Sequence, residues 1–206
     1  EGVTYDLIHS HYWLSGRLGM MLSAKWKVPH VATFHTLGKN KLRARAGEKE
    51  ADLRLAVEKW VIDEADGLVV STRQEKDDIA RLYSARQNNV RIIPAGVDLN
   101  LFRPLDRDRA RISLGLSEKK IILYVGRIER LKGLDILLTA ISLLEERSDV
   151  RLLVVGGSPV RDRELDRLKS EAARLGIADM VTFTGSVPQS ELPTYYSAAD
   201  VFVLPS

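Results

Sequence analysis

The chain has 206 residues, enough for one large domain or two small ones. With 45% apolar and 29% charged residues it is too apolar for a disordered tail and too charged for a membrane bundle. Thirty-one basic against 28 acidic residues leave a net charge of +3, and aromatics are only 6%, so nucleic acid is not an expected partner. No stretch approaches the roughly 20 apolar residues that cross a bilayer. The opening Glu1-Gly2-Val3-Thr4-Tyr5-Asp6 reads as no signal peptide. The absence of cysteine excludes disulfides, thiolate zinc sites and cysteine nucleophiles, and suits a reducing, cytoplasmic setting.

Short apolar runs alternate with amphipathic stretches along the whole chain. The runs cover residues 5–9, 30–34, 67–71, 90–94, 120–126, 150–156, 180–184 and 200–204. Ile121-Ile122-Leu123-Tyr124-Val125 is apolar throughout, as in strands buried on both faces of a parallel sheet. Between runs, Leu134, Leu137, Leu138, Ile141 and Leu144 recur at helical spacing. So do Leu165, Leu168, Ala172 and Leu175, with Gly176 placed as a helix stop; this helix is expected over residues 162–175. Strand–helix alternation predicts an α/β fold wound around parallel sheets. The stretch Pro94-Ala95-Gly96-Val97-Asp98-Leu99-Asn100-Leu101-Phe102-Arg103-Pro104 is poor in either element and reads as an inter-domain connection. Both ends look cut: one strand begins near Glu1, and another ends at Leu204-Pro205-Ser206 with no helix behind it. An internal piece of a longer two-domain protein is expected.

In open α/β sheets, ligands lie beyond the carboxyl ends of the strands. The residues there are His9-Ser10-His11, His35-Thr36, Ser71-Thr72, Gly126-Arg127, Gly156-Gly157 and Gly185-Ser186-Val187. Within Gly126-Arg127-Ile128-Glu129-Arg130-Leu131-Lys132-Gly133, Arg127 leaves a strand and Lys132 enters a helix start. Two such cations beside free helical N–H groups suit a diphosphate; the alternative is a loop facing water. Gly16-Arg17-Leu18-Gly19 lacks the dinucleotide spacing and no phosphate-binding P-loop is present. His9 and His11 are expected to point to opposite sides of a strand end. They could then not chelate one metal unless the strand has already ended; a three-histidine zinc site with His35 is conceivable, but a hydrogen-bonded loop histidine is the commoner arrangement. The segment holding Lys39, Lys41, Arg43, Arg45, Lys49, Arg54 and Lys59, with Glu48, Glu50, Asp52 and Glu58, reads as a solvated face. An anion-attracting rim, for a phosphorylated acceptor or a membrane surface, is the other reading.

These residues also carry a resemblance. Asp6-Leu7-Ile8-His9-Ser10-His11-Tyr12-Trp13-Leu14-Ser15-Gly16, Thr33-Phe34-His35-Thr36-Leu37-Gly38, Ile93-Pro94-Ala95-Gly96-Val97-Asp98 and Phe102-Arg103-Pro104 resemble the retaining glycosyltransferases of family 4, with the GT-B fold. So do Val125-Gly126-Arg127 with Lys132-Gly133, Val155-Gly156-Gly157, Phe183-Thr184-Gly185-Ser186-Val187 and Ala199-Asp200-Val201-Phe202-Val203-Leu204-Pro205-Ser206. The likeness is strongest to the branch of sucrose-phosphate synthases, sucrose synthases and the mycothiol-pathway N-acetylglucosaminyltransferase.

The resemblance implies two Rossmann-like doubly wound domains, both incomplete: an acceptor-side domain over residues 1–98 and a donor domain over 99–206. It implies sugar transfer from a nucleotide diphosphate sugar, UDP favoured, to an acceptor hydroxyl with retention. No cofactor or metal is expected. Arg127 and Lys132 would hold the donor diphosphate, and His35 would lie beside the donor sugar. Gly126, Gly156 and Gly157 would line the donor pocket, with the backbone near Val187 at the base. Thr36 and Arg54 would hold an acceptor phosphate. A glycine-rich loop and a Glu-x₇-Glu motif, expected of the family, would lie before Glu1 and beyond Ser206, so the chain alone is expected to be inactive. A non-catalytic nucleotide-sugar-binding chain and a sugar-nucleotide 2-epimerase of the same fold are the alternatives.

Overall fold

A computed structural model describes residues 4–44, 49–86, 88–117, 120–146, 148–157 and 163–205. Glu1, Gly2, Val3, Arg45, Glu48 and Ser206, named above, and the first position of the helix expected over residues 162–175 lie outside the described residues. The chain divides into two compact units, Glu1–Gly96 and Val97–Ser206, two residues ahead of the boundary expected from sequence.

The first unit has four parallel strands in sequential order, β1 (Ile8–His11), β2 (His30–Thr33), β3 (Gly67–Val70) and β4 (Val90–Ile92). Helices α1 (Tyr12–Trp26), α2 (Gly38–Ala44), α3 (Asp52–Glu64) and α4 (Arg73–Tyr83) connect them. β1 starts three residues later than its apolar run and extends through His11, directly against Tyr12. Ala32, Leu68, Val70 and Val90 share one sheet face and pack with Val57, Val61, Ile62, Ile79 and Tyr83. Alternate residues on the other face, His9, Val31, Val69 and Arg91, are half-buried or exposed. The Gly16/Gly19 pair is explained by packing. A Cβ on Gly16 would lie 3.3 Å from the Val61 side chain, and one on Gly19 would collide with the His30 ring. Thr72 is a helix cap: its hydroxyl accepts from Glu75 N at 3.1 Å while Glu75 Oε2 accepts from Ser71 N at 2.6 Å.

The second unit has the order β7-β6-β5-β8, all parallel: β5 (Lys120–Val125), β6 (Val150–Val155), β7 (Val181–Gly185) and β8 (Val201–Phe202). Helices α5 (Arg107–Ser113), α6 (Leu134–Ser142), α7 (Arg163–Arg174) and α8 (Leu192–Ala198) complete it. Strand order reverses between β5 and β8, so helices cover both faces. Leu134, Leu137, Leu138 and Ile141 of α6 pack with Leu168 and Ala172 of α7 on one face. Leu192 and Tyr195 of α8 lie against Ile121, Leu123, Leu153 and Val155 on the other. Gly176 has φ +67, as its place after α7 requires. Asp200 ties the β8 edge down, pairing with Arg107 and Arg111 (2.6 Å) and accepting from Ile121 N at 2.7 Å. Residues 93–106 hold no helix or strand, and the Phe102 ring meets Tyr196 of α8 edge-on.

Candidate functional site

In the second unit the glycines meet at the carboxyl ends of three strands. Gly126 N donates to Val155 O at 3.0 Å, and Gly156 N donates to Gly185 O at 2.8 Å. Gly156 has φ +135, and a Cβ there would strike the Gly126 carbonyl oxygen. Only glycine allows that approach. Gly157 follows, with Ile128 Cδ1 3.1 Å from where its Cβ would stand. The ends of β5, β6 and β7 are thereby drawn together through main-chain contacts.

The loop from Gly126 to Gly133 is anchored by buried Ile128 and by Tyr124, whose hydroxyl donates to Arg127 O at 3.0 Å. Burial, with Glu129 adding, pushes the Tyr124 phenol up to about 12, so it stays a donor at neutral pH. Arg127 is 78% exposed and pairs with Glu129 at 2.8 Å. Lys132 closes a short 3-10 turn over Arg130–Lys132, two residues before α6 begins, and makes no ion pair with a described residue. Gly133, at φ +66, would meet Pro205 O at 2.5 Å with any Cβ, so the loop lies against the chain leaving β8. Val187 turns its side chain into the Ile121–Leu153 cluster, which leaves its backbone for any ligand contact.

In the first unit the ends of β1 and β2 carry the histidines. His11 Nδ1 and His35 Nε2 lie 2.9 Å apart, with the rings stacked at 5.2 Å between centroids. His9 hydrogen-bonds Thr33 Oγ1 at 2.9 Å. The expectation that His9 and His11 point apart is corrected: residues two apart on a strand share a face, and these rings are 4.3 Å apart. Burial, then the charges of His11 and His35, hold the His9 pKa below its ordinary value. Among the described residues no group of three or more His, Asp or Glu is placed to hold a metal ion. His11 and His35 turn ring nitrogens on each other instead of on a common point.

Thr36 and Arg54 come together. Arg54 Nη2 donates to Thr36 O at 3.1 Å and to its Oγ1 at 3.3 Å. Arg54 Nε donates to Glu58 Oε1 at 2.8 Å, and Nη1 to Glu50 Oε2 at 2.9 Å. Tyr12, at φ +74, puts its ring 5.1 Å from the guanidinium carbon. Burial opposes the charge on Arg54, but the Glu58 hydrogen bond and the Glu58 and Glu50 charges outweigh it and raise the pKa. Glu58 is wholly buried. Its oxygens accept from Gly38 N at 3.1 and 2.9 Å and from the Tyr83 hydroxyl, whose pKa burial and Glu58 push upward. Lys39 is likewise engaged, donating to Leu82 O at 2.6 Å above the Tyr83 ring. Arg54 and Glu58 are therefore interior charges in a segment that reads as a solvated face.

Sequence reading missed Tyr12, Glu50, Glu58, Tyr83 and Tyr124. The Glu50–Arg54–Glu58 spacing of four was a legible helical signal. Tyr83 and Tyr124 had none, since their partners are set by tertiary packing.

Residues 2–101 match the family model described as Glycosyltransferase Family 4, and residues 106–206 match that described as Glycosyl transferases group 1. The chain belongs to the family 4, group 1 glycosyltransferases. This glycosyltransferase chain is 44% identical to the D-inositol 3-phosphate glycosyltransferase 2 of Catenulispora acidiphila, over 98% of the chain and 49% of that protein. It is 43% identical to the D-inositol 3-phosphate glycosyltransferase of Corynebacterium jeikeium, over 100% of the chain and 52% of that protein. The solved sucrose-phosphate synthase of Thermosynechococcus elongatus superposes with a TM-score of 0.86 at 36% identity, over 98% of this chain and 50% of that one. The chain spans about half the length of the curated relatives it matches. Among the described residues of this glycosyltransferase chain, no helix is long and apolar enough to cross a membrane.

Proposed function

We propose that the protein containing this chain moves a sugar from a nucleotide diphosphate sugar, UDP favoured, to a hydroxyl of a phosphorylated acceptor, with retention and without a metal. The observation that carries the reading is the loop from Gly126 to Gly133. It offers Lys132, a half-buried cation without a carboxylate partner among the described residues, in the loop between the end of β5 and the start of α6. Gly126, Gly156, Gly157 and the Val187 backbone line the donor side. In the reaction the anomeric C–O bond to the diphosphate breaks. The acceptor oxygen bonds to the same face of that carbon, and the acceptor's proton passes to the departing diphosphate. Arg127 and Lys132 meet the charge that develops on the leaving group, and fixed donors at such a point supply a large share of catalysis. His35 lies at the sugar, and Thr36 with Arg54 takes the acceptor's phosphate. The acceptor class is supported by relatives named as D-inositol 3-phosphate glycosyltransferases. A phosphorylated acceptor can be a free metabolite or a lipid headgroup, so peripheral membrane contact stays compatible with the reading.

The test is Arg127→Ala and Lys132→Ala in the complete protein. Each is expected to lower turnover roughly 10²-fold or more, with UDP binding weakened in calorimetry. Normal turnover in both variants overturns the donor-side assignment. The anomeric coupling constant of the product, read by NMR, checks retention; an inverted product ends that part of the reading.

A further inference from the structure

Arg54 already carries two carboxylates, and they are not equivalent. Glu58 is wholly buried and locked by Gly38 N, the Tyr83 hydroxyl and Arg54 Nε. Glu50 precedes α3 and, among the described residues, is held only by cations: Oε2 lies 2.9 Å from Arg54 Nη1 and Oε1 lies 3.3 Å from Lys41 Nζ. Its side chain is 13% exposed, against 3% for Arg54. One carboxylate thus bridges α2 and α3 through their basic side chains, on the guanidinium that also holds Thr36. A phosphate monoester can likewise give one oxygen to the arginine and another to the lysine, and it carries more charge.

We propose that Glu50 is a built-in stand-in for the acceptor's phosphate. Its carboxylate occupies the anion position between Arg54 and Lys41 until a phosphate displaces it. Glu58 stays in place and keeps the guanidinium oriented. Glu50 is then a specificity-determining residue. A neutral acceptor cannot compete with it for the two cations, and a phosphate dianion can. This rests on the reading of Thr36 and Arg54 as acceptor-phosphate contacts.

The experiment titrates the complete protein with inorganic phosphate at fixed ionic strength, following the Arg54 Nε–H signal by NMR. Wild type, Glu50→Gln, Glu50→Asp and a net-charge control, Glu171→Gln on α7, are compared. Removing a like charge from within about 4 Å of the incoming anion should tighten phosphate binding by roughly tenfold or more in Glu50→Gln. Glu50→Asp, too short to reach both cations, should tighten it less, and Glu171→Gln should leave it unchanged. If Glu50→Gln does not fold, the Glu50→Asp comparison decides alone. Arg54 shifts with equal affinity in wild type and the Glu50 variants overturn the stand-in and leave the acceptor site standing. Phosphate that moves the Arg54 signal in none of the proteins overturns both. Tighter binding without an Arg54 response places the phosphate elsewhere and also overturns the stand-in.

Discussion

Arg54 Nη2 donates to both oxygens of Thr36, the carbonyl at 3.1 Å and the hydroxyl at 3.3 Å. A helix in the middle of the first unit is thereby fastened to the turn that follows β2, and His35 is the residue just before that turn's threonine. Glu58 fastens the same turn from the other side through Gly38 N. The hydroxyl that the proposed function needs is thus aimed by two interior charges.

Removing one of those charges strands the other. Arg54→Ala leaves the Glu58 carboxylate, wholly buried, with an amide and a phenol as its only partners among the described residues. Breaking a buried pair this way costs about 3–5 kcal/mol. Arg54→Lys keeps a charge but not the fork that reaches Glu58, Glu50 and Thr36 together, so it should recover only part of the loss. Urea unfolding measures both; a loss under about 1 kcal/mol in Arg54→Ala would mean that the pair does not hold the turn.

Gly156→Ala tests the glycine rim. The residue sits at φ +135 with the Gly126 carbonyl where a Cβ must go. The strained backbone alone costs about 1–3 kcal/mol, and the collision adds to it. The expected result is a lowered melting temperature together with weakened nucleotide binding. An alanine variant as stable as wild type would show that β5 and β6 can part at their ends without cost.

Tyr124→Phe removes the hydroxyl that holds Arg127 O and little else. It should cost about 1 kcal/mol and loosen the loop that carries Arg127 and Lys132. Amide hydrogen exchange over residues 126–133 should speed up while the β5 and β6 amides stay protected. Unchanged exchange in the loop would show that the Tyr124 hydroxyl does not order it.

Acid should weaken the fold in a defined window. His9 is lowered by burial, then by His11 and His35; His30 is lowered by burial, with Asp66 opposing and His9 adding. Both therefore bind a proton less readily folded than unfolded. Their contribution is fully present above the unfolded value, 6.5, and is lost as pH falls below it toward the folded values. Asp78 and Asp200, held low despite burial, act only further down, below 3.8. Unfolding free energy at pH 7.5 should exceed that at pH 5.5, with a shallower difference in His9→Gln. An identical difference in the variant removes His9 from the account.

The run Ile121-Ile122-Leu123-Tyr124-Val125 announces a strand covered on both faces, and β5 lies in the middle of its sheet under two helix layers. The spacing of Leu134, Leu137, Leu138 and Ile141 sets α6 in the same way, because a helix must turn one stripe inward. The His9-Ser10-His11 string was harder: it runs straight into α1, and the side chains settle one ring against the next. Arg54 and Glu58 look on paper like any solvated pair four residues apart. Nothing local distinguishes them from Lys59 and Asp63, which share that spacing and stay exposed.

Sequence by itself determined the elements, their parallel α/β winding, the family, and the glycines that only a close strand rim requires. These follow from periodicity and backbone sterics, which act over a few residues. Tertiary structure alone decided which charges are interior, that Glu50 and Glu58 share one guanidinium, and that Tyr83 and Tyr124 steady the two rims. Those outcomes depend on which groups lose their water when distant segments pack, and the cost of burying a charge is fixed by the partners that packing supplies.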